Sequence, residues 1–422
     1  MNRSTHRSVI YSSLAILALG LSACGSSDPA AEAPPSMPSE AGSSASAPHG
    51  YVEGAQEASE PQLRLAVHDG QDGSLEILDL LTEESVAEEN GGSQTRIGAA
   101  DNRYLFETDG EAGQVRVYDS GVWTVDHGDH VHYYTSGVSE VDEVSGDEPG
   151  HVVSHDASVA VFFDGDGAVK VYDRKPLEDG ELTETMSIET GAHHGLAVPF
   201  NDHVITTTPQ DDGPDELPGE LALYSGGGQP AELSGQTDCS QIHGAGATSD
   251  AAAFACDAGV LTVDEDFGST LQPYPEQAEG RAWTLTAGSD LLIAPFEGSG
   301  LGLLDPATGS WTHVATGAEV ISAGISPDDG TALALDADGV GYAIDPETGE
   351  ILSSRELVQV PSDEDENEES SPAPTVAVDD ERAYVSDPAG GRVLELDVAD
   401  GLREARSFAA GGQPTQIAVM GR

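Results

Sequence analysis

Three histidines in one short phrase are the part of this sequence best suited to chemistry. His127, His130 and His132 stand together with Asp126 and Asp129. Imidazole nitrogens and carboxylate oxygens are ligands that zinc accepts. In so acidic a chain, neighbouring aspartates are ordinary surface residues, but acid enrichment does not account for clustered histidines. The phrase therefore predicts a zinc site, with a plain polar surface as the alternative.

The spacing of the phrase favours a chelating arrangement on a strand and a turn. Residues two apart on a β-strand share a face, so His130 and His132 would point the same way. Gly128 lets the chain turn tightly and bring His127 round to join them. A pair on one strand face and a third residue across a turn would offer three imidazoles to one metal ion.

Other histidines extend the candidate site farther along the chain. Nine of the 13 histidines lie between His127 and His243. His151 and His203 rank behind the main candidates. Those main candidates occur in short phrases with Asp or Gly, and they are His155, His193, His194 and His243.

The elements that must position these residues come from a repeated pair of strands. A short apolar strand, a turn rich in Asp and Gly, and a second strand recur eight times, in copies that begin at Leu65, Tyr104, Val159, His203, Ala253, Leu292, Leu333 and Ala383. This spacing is typical of a β-propeller with about four strands per blade. We therefore predict an all-β domain over residues 61–422, a β-propeller with eight blades. The last strand, Pro414–Met420, would close the ring on the first blade and remove an exposed sheet edge.

Propeller architecture would bring the candidate histidines towards one another. The first strand of each blade lines the central channel. His155, His194 and His243 would open three consecutive blades near one mouth of that channel. The phrase that begins at Asp126 would end blade 2 and lead into blade 3 on the same side. This convergence favours a functional site over isolated structural hydrogen bonds.

The N-terminal residues predict export and a lipid anchor. Arg3 and Arg7 precede a short apolar run that ends in Leu21-Ser-Ala-Cys24. This run is too short to span a membrane and is typical of a signal peptide with a bacterial lipobox, or else of an ordinary secretory signal. We interpret residues 1–24 as signal peptide and lipobox, with lipidated Cys24 holding the protein at the outer face of the cell membrane, outside the cytoplasm. Residues 25–60 lack large apolar side chains and are predicted to be a disordered tether.

The net charge limits the classes of binding partner, and the cysteine content predicts one disulfide bond. The 76 acidic and 16 basic residues give a formal charge of −60, which excludes nucleic acid as a natural partner because phosphate binding needs the opposite sign. The acidity fits solubility in a salty habitat, attraction of cations, or both. In an oxidising compartment, Cys239 and Cys256 are expected to form a disulfide, with a pair of thiolate zinc ligands as the alternative.

These phrases together resemble the AztD-type zinc metallochaperones. The resemblance runs from about residue 50 to the C-terminus and rests on Asp126-His-Gly-Asp-His-Val-His-Tyr-Tyr134, Ser154-His-Asp156, Ala192-His-His-Gly195 and Cys239…His243-Gly…Cys256-Asp. It implies a secreted β-propeller, not an enzyme, that captures zinc and hands it to the solute-binding protein of a zinc ABC transporter. An isolated closed propeller is expected to be a monomer. By this resemblance the zinc ligands are His127, His130, His132, His155, His194 and His243, with Asp126, Asp129 and His193 as additional candidates.

Two other classes of function stay open on the sequence. A metal-dependent propeller hydrolase, such as a lactonase-like enzyme, would need an open metal position for water, and no hydrolase motif is evident. A metal-free surface interaction scaffold would use the propeller face to bind another surface protein. Metal content separates the scaffold from the other two classes, and zinc transfer against hydrolytic turnover separates those two.

Overall fold

Paired strands account for nearly all the regular structure of this protein. Contacts divide the chain into Met1–Ala47 and Pro48–Arg422. The computed structural model describes residues 51–52, 54–92, 94–210, 216–360 and 373–422, all of them in the second unit. The predicted signal peptide, Cys24 and most of the predicted tether therefore lie outside the described residues. Among the described residues, no helix is long and apolar enough to cross a membrane.

The described residues up to Ala231 form eighteen strands and one 3-10 turn, Lys175–Asp179. The strands are β1 (Gln56–Ala58), β2 (Arg64–Asp69), β3 (Leu75–Asp79), β4 (Ser85–Glu89), β5 (Thr95–Ala100), β6 (Tyr104–Asp109), β7 (Gln114–Asp119), β8 (Val122–Asp126), β9 (Val131–Thr135), β10 (Ser139–Ser145), β11 (Pro149–His155), β12 (Ser158–Phe163), β13 (Ala168–Asp173), β14 (Thr183–Glu189), β15 (Ala197–Phe200), β16 (His203–Thr208), β17 (Glu220–Ser225) and β18 (Pro230–Ala231).

From Ser234 onward, the regular elements of the described residues are all strands. They are β19 (Ser234–Gly235), β20 (Ala245–Ala247), β21 (Ala251–Cys256), β22 (Gly259–Asp264), β23 (Gly268–Pro273), β24 (Thr286–Ala287), β25 (Leu292–Pro295), β26 (Ser299–Asp305), β27 (Ser310–Ile325), β28 (Ala332–Asp336), β29 (Val340–Ile344), β30 (Ile351–Glu356), β31 (Val376–Val378), β32 (Arg382–Asp387), β33 (Arg392–Asp397), β34 (Arg403–Ala409) and β35 (Pro414–Met420).

These strands assemble into groups of four that follow the sequence. The groups are β35-β2-β3-β4, β5-β6-β7-β10, β11 to β14, β15 to β18 and β20 to β23, then β24 to β27 and β27 to β30 within one longer sheet, and β31 to β34. Each predicted copy of the repeat begins inside the second strand of one group. The C-terminal strand β35 pairs antiparallel with β2, with Ile417 opposite Val67.

Buried apolar side chains fill the space between successive groups. Phe106 and Phe163 belong to one cluster between the second and third groups. The last group contacts the first in the same way, because Tyr384 of β32 packs in one cluster with Leu65 and Val67 of β2. Four-stranded groups that pack in this manner are typical of a β-propeller, and the predicted all-β class is confirmed.

One hairpin departs from the repeat. Strands β8 and β9 lie between β7 and β10 in the sequence, yet they pair with each other and with β1 rather than with that group. The prediction that this phrase simply ends blade 2 is therefore wrong, since its residues form a separate three-stranded sheet. Strand β1 falls at the end of the segment predicted as tether, where its backbone groups gain partners along the edge of β9.

Aromatic and polar contacts fix the base of the hairpin. Trp123 of β8 stacks on Tyr134 of β9 with ring centroids 5.4 Å apart. The Arg103 guanidinium lies 3.9 Å from the centroid of the Trp123 ring and makes a cation–π contact with it. Arg103 directly precedes β6, so this contact joins the hairpin to the second strand group. The Thr124 hydroxyl donates to the carbonyl of Gly421 at 2.8 Å. These contacts hold one end of the hairpin against the body and leave its turn exposed.

Candidate metal centres

The turn of the hairpin places three imidazoles side by side. The His127 N–H donates to the carbonyl of His130 at 3.0 Å. Gly128, between them, has φ of +80°, which suits the first central position of a type II′ turn and favours glycine. His132 lies two residues beyond His130 and shares its face. The turn thus brings together the three histidines of this phrase.

The three rings of this hairpin cluster face one another at contact distance. Ring centroids are 4.8 Å apart for His127 and His130, and 4.9 Å apart for His130 and His132. One ligand nitrogen from each ring lies within 4.8 Å of the others. His127 and His130 are exposed and His132 is half-buried, so solvent ions can reach the cluster.

Carboxylates determine which nitrogen of two of these rings is available. His130 Nδ1 lies 2.7 Å from Asp129 Oδ1, and His132 Nδ1 lies 2.7 Å from Glu57 Oε1. Because an ionised carboxylate only accepts, Nδ1 carries the hydrogen and Nε2 keeps its lone pair for a metal. Glu57 comes from β1, so the edge strand contributes directly to this cluster.

A second group of three histidines, the central cluster, forms where three consecutive groups of strands meet. It consists of His151 of β11, His194 just before β15, and His243 just before β20, each half-buried. Ring centroids are 4.9 Å apart for His151 and His194, and 5.3 Å apart for His194 and His243. Again one ligand nitrogen from each residue lies within 4.8 Å of the others.

Irregular backbone aims these side chains at one another. The pairing of β11 with β12 shifts register between Pro149 and Val152, and His151 lies in this bulge. Bulges re-aim side chains that a regular strand would point elsewhere. At Gly195, beside His194, a Cβ atom would lie 2.2 Å from the Phe162 ring, so only glycine permits the close approach.

Each ring of the central cluster has its Nδ1 engaged by an acceptor. His194 Nδ1 contacts Asp164 Oδ2 at 2.7 Å. His151 Nδ1 contacts the carbonyl of Gly195 at 3.1 Å, and His243 Nδ1 contacts the carbonyl of Trp283 at 2.9 Å. All three rings therefore carry hydrogen on Nδ1 and keep the Nε2 lone pair for a metal. Such outer partners are typical of histidines that ligate metals.

Burial favours the neutral form of two of these imidazoles, His151 and His243. Burial, reinforced by the neighbouring His194 and His243, lowers the pKa of His151 to about 4. Burial also lowers the pKa of His243. A neutral imidazole is the form that binds zinc, so the cluster is prepared for a metal at neutral pH without losing protons first.

The remaining predicted ligands lie outside both clusters. His155 Nε2 contacts the carbonyl of Thr248 at 3.1 Å, and its ring stacks on Phe200. His193 is buried, with Nδ1 at 2.7 Å from the Gly191 carbonyl and Nε2 at 2.9 Å from the Thr207 hydroxyl. His193 therefore uses both ring nitrogens within the protein, and His155 uses its Nε2.

The aspartates of the hairpin have supporting positions. Asp126 Oδ1 accepts the N–H of Gly128 at 2.6 Å, which stabilises the turn. Asp129 contacts the ring of His130 and is largely exposed. His151, which the sequence places behind His155 as a candidate, lies in the central cluster, and Glu57 and Asp164 are contacts that the sequence does not indicate. The sequence shows which residues are histidine or aspartate. It does not show the bulge or the contacts between sheets that determine which of them belong to the clusters.

The expected disulfide is present between Cys239 and Cys256, with Cα atoms 5.9 Å apart. Its first cysteine lies four residues before His243 in the sequence. It therefore crosslinks the segment that supplies one histidine of the central cluster.

Comparison with known proteins shows a similarity to a zinc chaperone in both sequence and structure. The zinc chaperone AztD of Citrobacter koseri is 24% identical over 368 residues, which cover 85% of this chain and 86% of AztD. A crystal structure of that AztD matches with a TM-score of 0.77 at 24% identity, covering 86% of this chain and 99% of the AztD chain. The resemblance to AztD is confirmed. The structure of apo AztD matches similarly, with a TM-score of 0.76.

More distant matches concern the fold alone. Dihydro-heme d1 dehydrogenase NirN matches with a TM-score of 0.56 at 14% identity over 84% of this chain. No family model matches the sequence. AztD is thus similar to this protein in both sequence and fold.

Proposed function

We propose that this protein is a zinc chaperone that binds zinc through the central cluster and the hairpin cluster. The observation that carries the proposal is the central cluster, in which one ligand nitrogen from each of three histidines lies within 4.8 Å of the others. AztD is a zinc chaperone, and its similarity to this chain along 85% of the chain's length supports the same conclusion.

The donor set fits zinc. Tetrahedral zinc with Zn–N bonds of about 2.0–2.1 Å places its ligand nitrogens roughly 3.4 Å apart. The ligand atoms of each cluster lie within 4.8 Å of one another, so movements of about 1 Å or less per ring would complete the geometry. Neutral imidazoles suit zinc, whereas calcium and magnesium prefer oxygen ligands.

Three protein ligands also suit a cargo that must leave. A structural zinc site is closed by four protein ligands, whereas a three-ligand site keeps one position open. A ligand from an acceptor protein can enter that position before the histidines release the metal. The exposure of His127 and His130 makes the hairpin cluster accessible to such an exchange.

The recipient and the location follow from the same proposal. The acceptor would be the solute-binding protein of a zinc ABC transporter, and the chaperone would act outside the cytoplasm, anchored through Cys24 to the outer face of the cell membrane. The formal charge of −60 supports a cation as cargo and disfavours nucleic acid. We propose a monomer without enzymatic activity.

We infer that the propeller has eight blades and a closed ring. Eight groups of four strands follow the chain when β27 serves two neighbouring groups. The first strands contact one another in the order β35, β5, β11, β15, β20, β24, β27 and β31, and β31 contacts β35 again. Pairing of β35 with β2 supplies the first group with its inner strand.

Zinc content and zinc transfer test the function. The purified chain should bind two zinc ions, and replacing the three histidines of either cluster by alanine should remove one. Zinc-loaded protein should pass metal to the purified solute-binding protein faster than its spontaneous release to excess chelator. Transfer no faster than release would make the protein a zinc store. Zinc-dependent hydrolysis of lactones or esters would favour the hydrolase instead.

A further inference from the structure

We propose that the Cys239–Cys256 disulfide positions His243, so that its oxidation state controls zinc affinity at the central cluster. This inference rests on the proposed function, because it assumes that the central cluster binds zinc. It adds a redox dependence that applies to one cluster and not to the other.

His243 belongs to the least regular of the segments that build the central cluster. The chain between β19 and β20 has no strand of its own around this residue. Two positions there have left-handed backbone, Gln241 with φ of +59° and Gly244 with φ of +82°. A non-glycine residue in this conformation persists only where its surroundings hold it.

Contacts with the end of β21 supply that support. The His243 N–H donates to the carbonyl of Ala255 at 2.9 Å. The Asp257 N–H donates to the carbonyl of Ser240 at 3.0 Å. Cys256 lies between Ala255 and Asp257, is fully buried, and bonds to Cys239. The disulfide therefore holds the segment around His243 against the end of β21 by a covalent bond, at the same place where the two backbone hydrogen bonds join them.

The position of His243 also depends on a neighbouring strand group. Its Nδ1 contacts the carbonyl of Trp283, and a Cβ atom at Gly244 would lie 2.4 Å from that same carbonyl. The segment thus fits tightly between β21 and Trp283, and a small displacement would rotate the Nε2 atom away from His151 and His194. His151, by contrast, lies within β11, which pairs with β12 on both sides of the bulge.

Opening the disulfide should therefore weaken zinc binding at the central cluster by about 10-fold or more, in the range found for partners that orient metal ligands. The coupling is reciprocal, so bound zinc should disfavour reduction by the same factor. With a phosphine as reductant, the S–S bond breaks, each sulfur ends as a thiol, and the phosphine is oxidised to its oxide with oxygen from water.

The first test removes the disulfide without introducing thiols. The Cys239→Ala/Cys256→Ala double variant is prepared in two backgrounds, one lacking the hairpin histidines and one lacking the central histidines. Zinc affinity is then measured by competition with a chelator. We expect a loss of about 10-fold or more at the central cluster and a change of less than about twofold at the hairpin cluster. A circular dichroism spectrum and a urea transition like those of the parent chain show that the double variant is folded.

The second test uses the intact protein and does not require that variant to fold. The zinc-free and zinc-loaded forms are exposed to the phosphine, and free thiols are counted by alkylation and mass spectrometry. Zinc should reduce the amount of opened disulfide at least severalfold. His243→Ala should abolish the protection, while loss of the hairpin histidines should preserve it.

Two results would contradict this inference alone, and a third would also contradict the proposed function. Unchanged zinc affinity of the central cluster in the double variant, or equal reduction with and without zinc, would show that the disulfide does not position His243. If the central cluster of the unaltered chain binds no zinc at all, the proposed function fails and this inference fails with it.

Discussion

Replacing Asp164 by asparagine should weaken zinc binding at the central cluster by about 10- to 100-fold, which corresponds to about 1.4–2.7 kcal/mol. Asp164 Oδ2 contacts His194 Nδ1 at 2.7 Å, while Oδ1 accepts the N–H of Gly195 at 3.3 Å. The carboxylate accepts both hydrogens and adds negative charge, which makes the His194 ring a stronger metal ligand.

Asparagine has nearly the same shape but only one accepting oxygen. If that oxygen faces His194, the side-chain NH2 faces the N–H of Gly195, and two donors oppose each other. If the amide is reversed, the NH2 faces His194 Nδ1 and favours hydrogen on Nε2, the nitrogen that zinc needs. Either orientation costs zinc affinity, and neither opens a cavity.

The assay is chelator competition at neutral pH in a chain whose hairpin histidines are replaced by alanine. The matched control is Asp166→Asn, because Asp166 is exposed in the same turn and its Oδ1 accepts only the N–H of Ala168, a contact that asparagine can keep. Both variants remove one negative charge. Equal zinc affinity of the two variants would refute the role of Asp164 and leave only the long-range effect of charge.

Three further perturbations have defined outcomes. Glu57→Gln should weaken the hairpin cluster severalfold and spare the central cluster, because Glu57 orients His132 from a half-exposed position; single-cluster zinc titrations check this. Met420→Ala should lower the free energy of unfolding by about 2–5 kcal/mol in urea titrations, since buried Met420 packs between the first two strand groups. As the pH falls from 6.5 to 4, the free energy of unfolding of the zinc-free protein should decrease by up to about 3 kcal/mol. Burial lowers the pKa of His151 to about 4, so in this pH range only the unfolded chain binds a proton at His151. In urea titrations at each pH, His151→Gln should make this pH dependence weaker.

Local pattern sufficed to anticipate the hairpin cluster. His130 and His132 are two apart, and Gly128 supplies the turn that brings His127 beside them. These relations depend on a few consecutive residues, so they can be predicted from the spacing of the residues in the sequence. The starting residues of the repeated strand pairs were predictable for the same reason, because alternation and turn residues are local signals.

The central cluster was only partly predictable, because long-range packing selects its members. A regular strand would place His151 and His155 on one face, and nothing in the sequence announces the register shift that separates them. Likewise His193 and His194 are adjacent, and only the fold shows that one ring is buried against Thr207 while the other meets Asp164. The pairing of Glu57 with His132 depends on where β1 docks, across 75 residues of chain.

The two clusters differ in how far they could be moved out of this protein. The hairpin cluster lies on one continuous stretch, Val122–Thr135, so a short peptide or a loop graft could carry its three histidines into another scaffold. The central cluster belongs to no single stretch, since β11, the lead-in to β15 and the lead-in to β20 each supply one histidine. A lineage could therefore gain or lose the first by exchanging one loop, whereas the second can change only as the neighbouring strand groups change together.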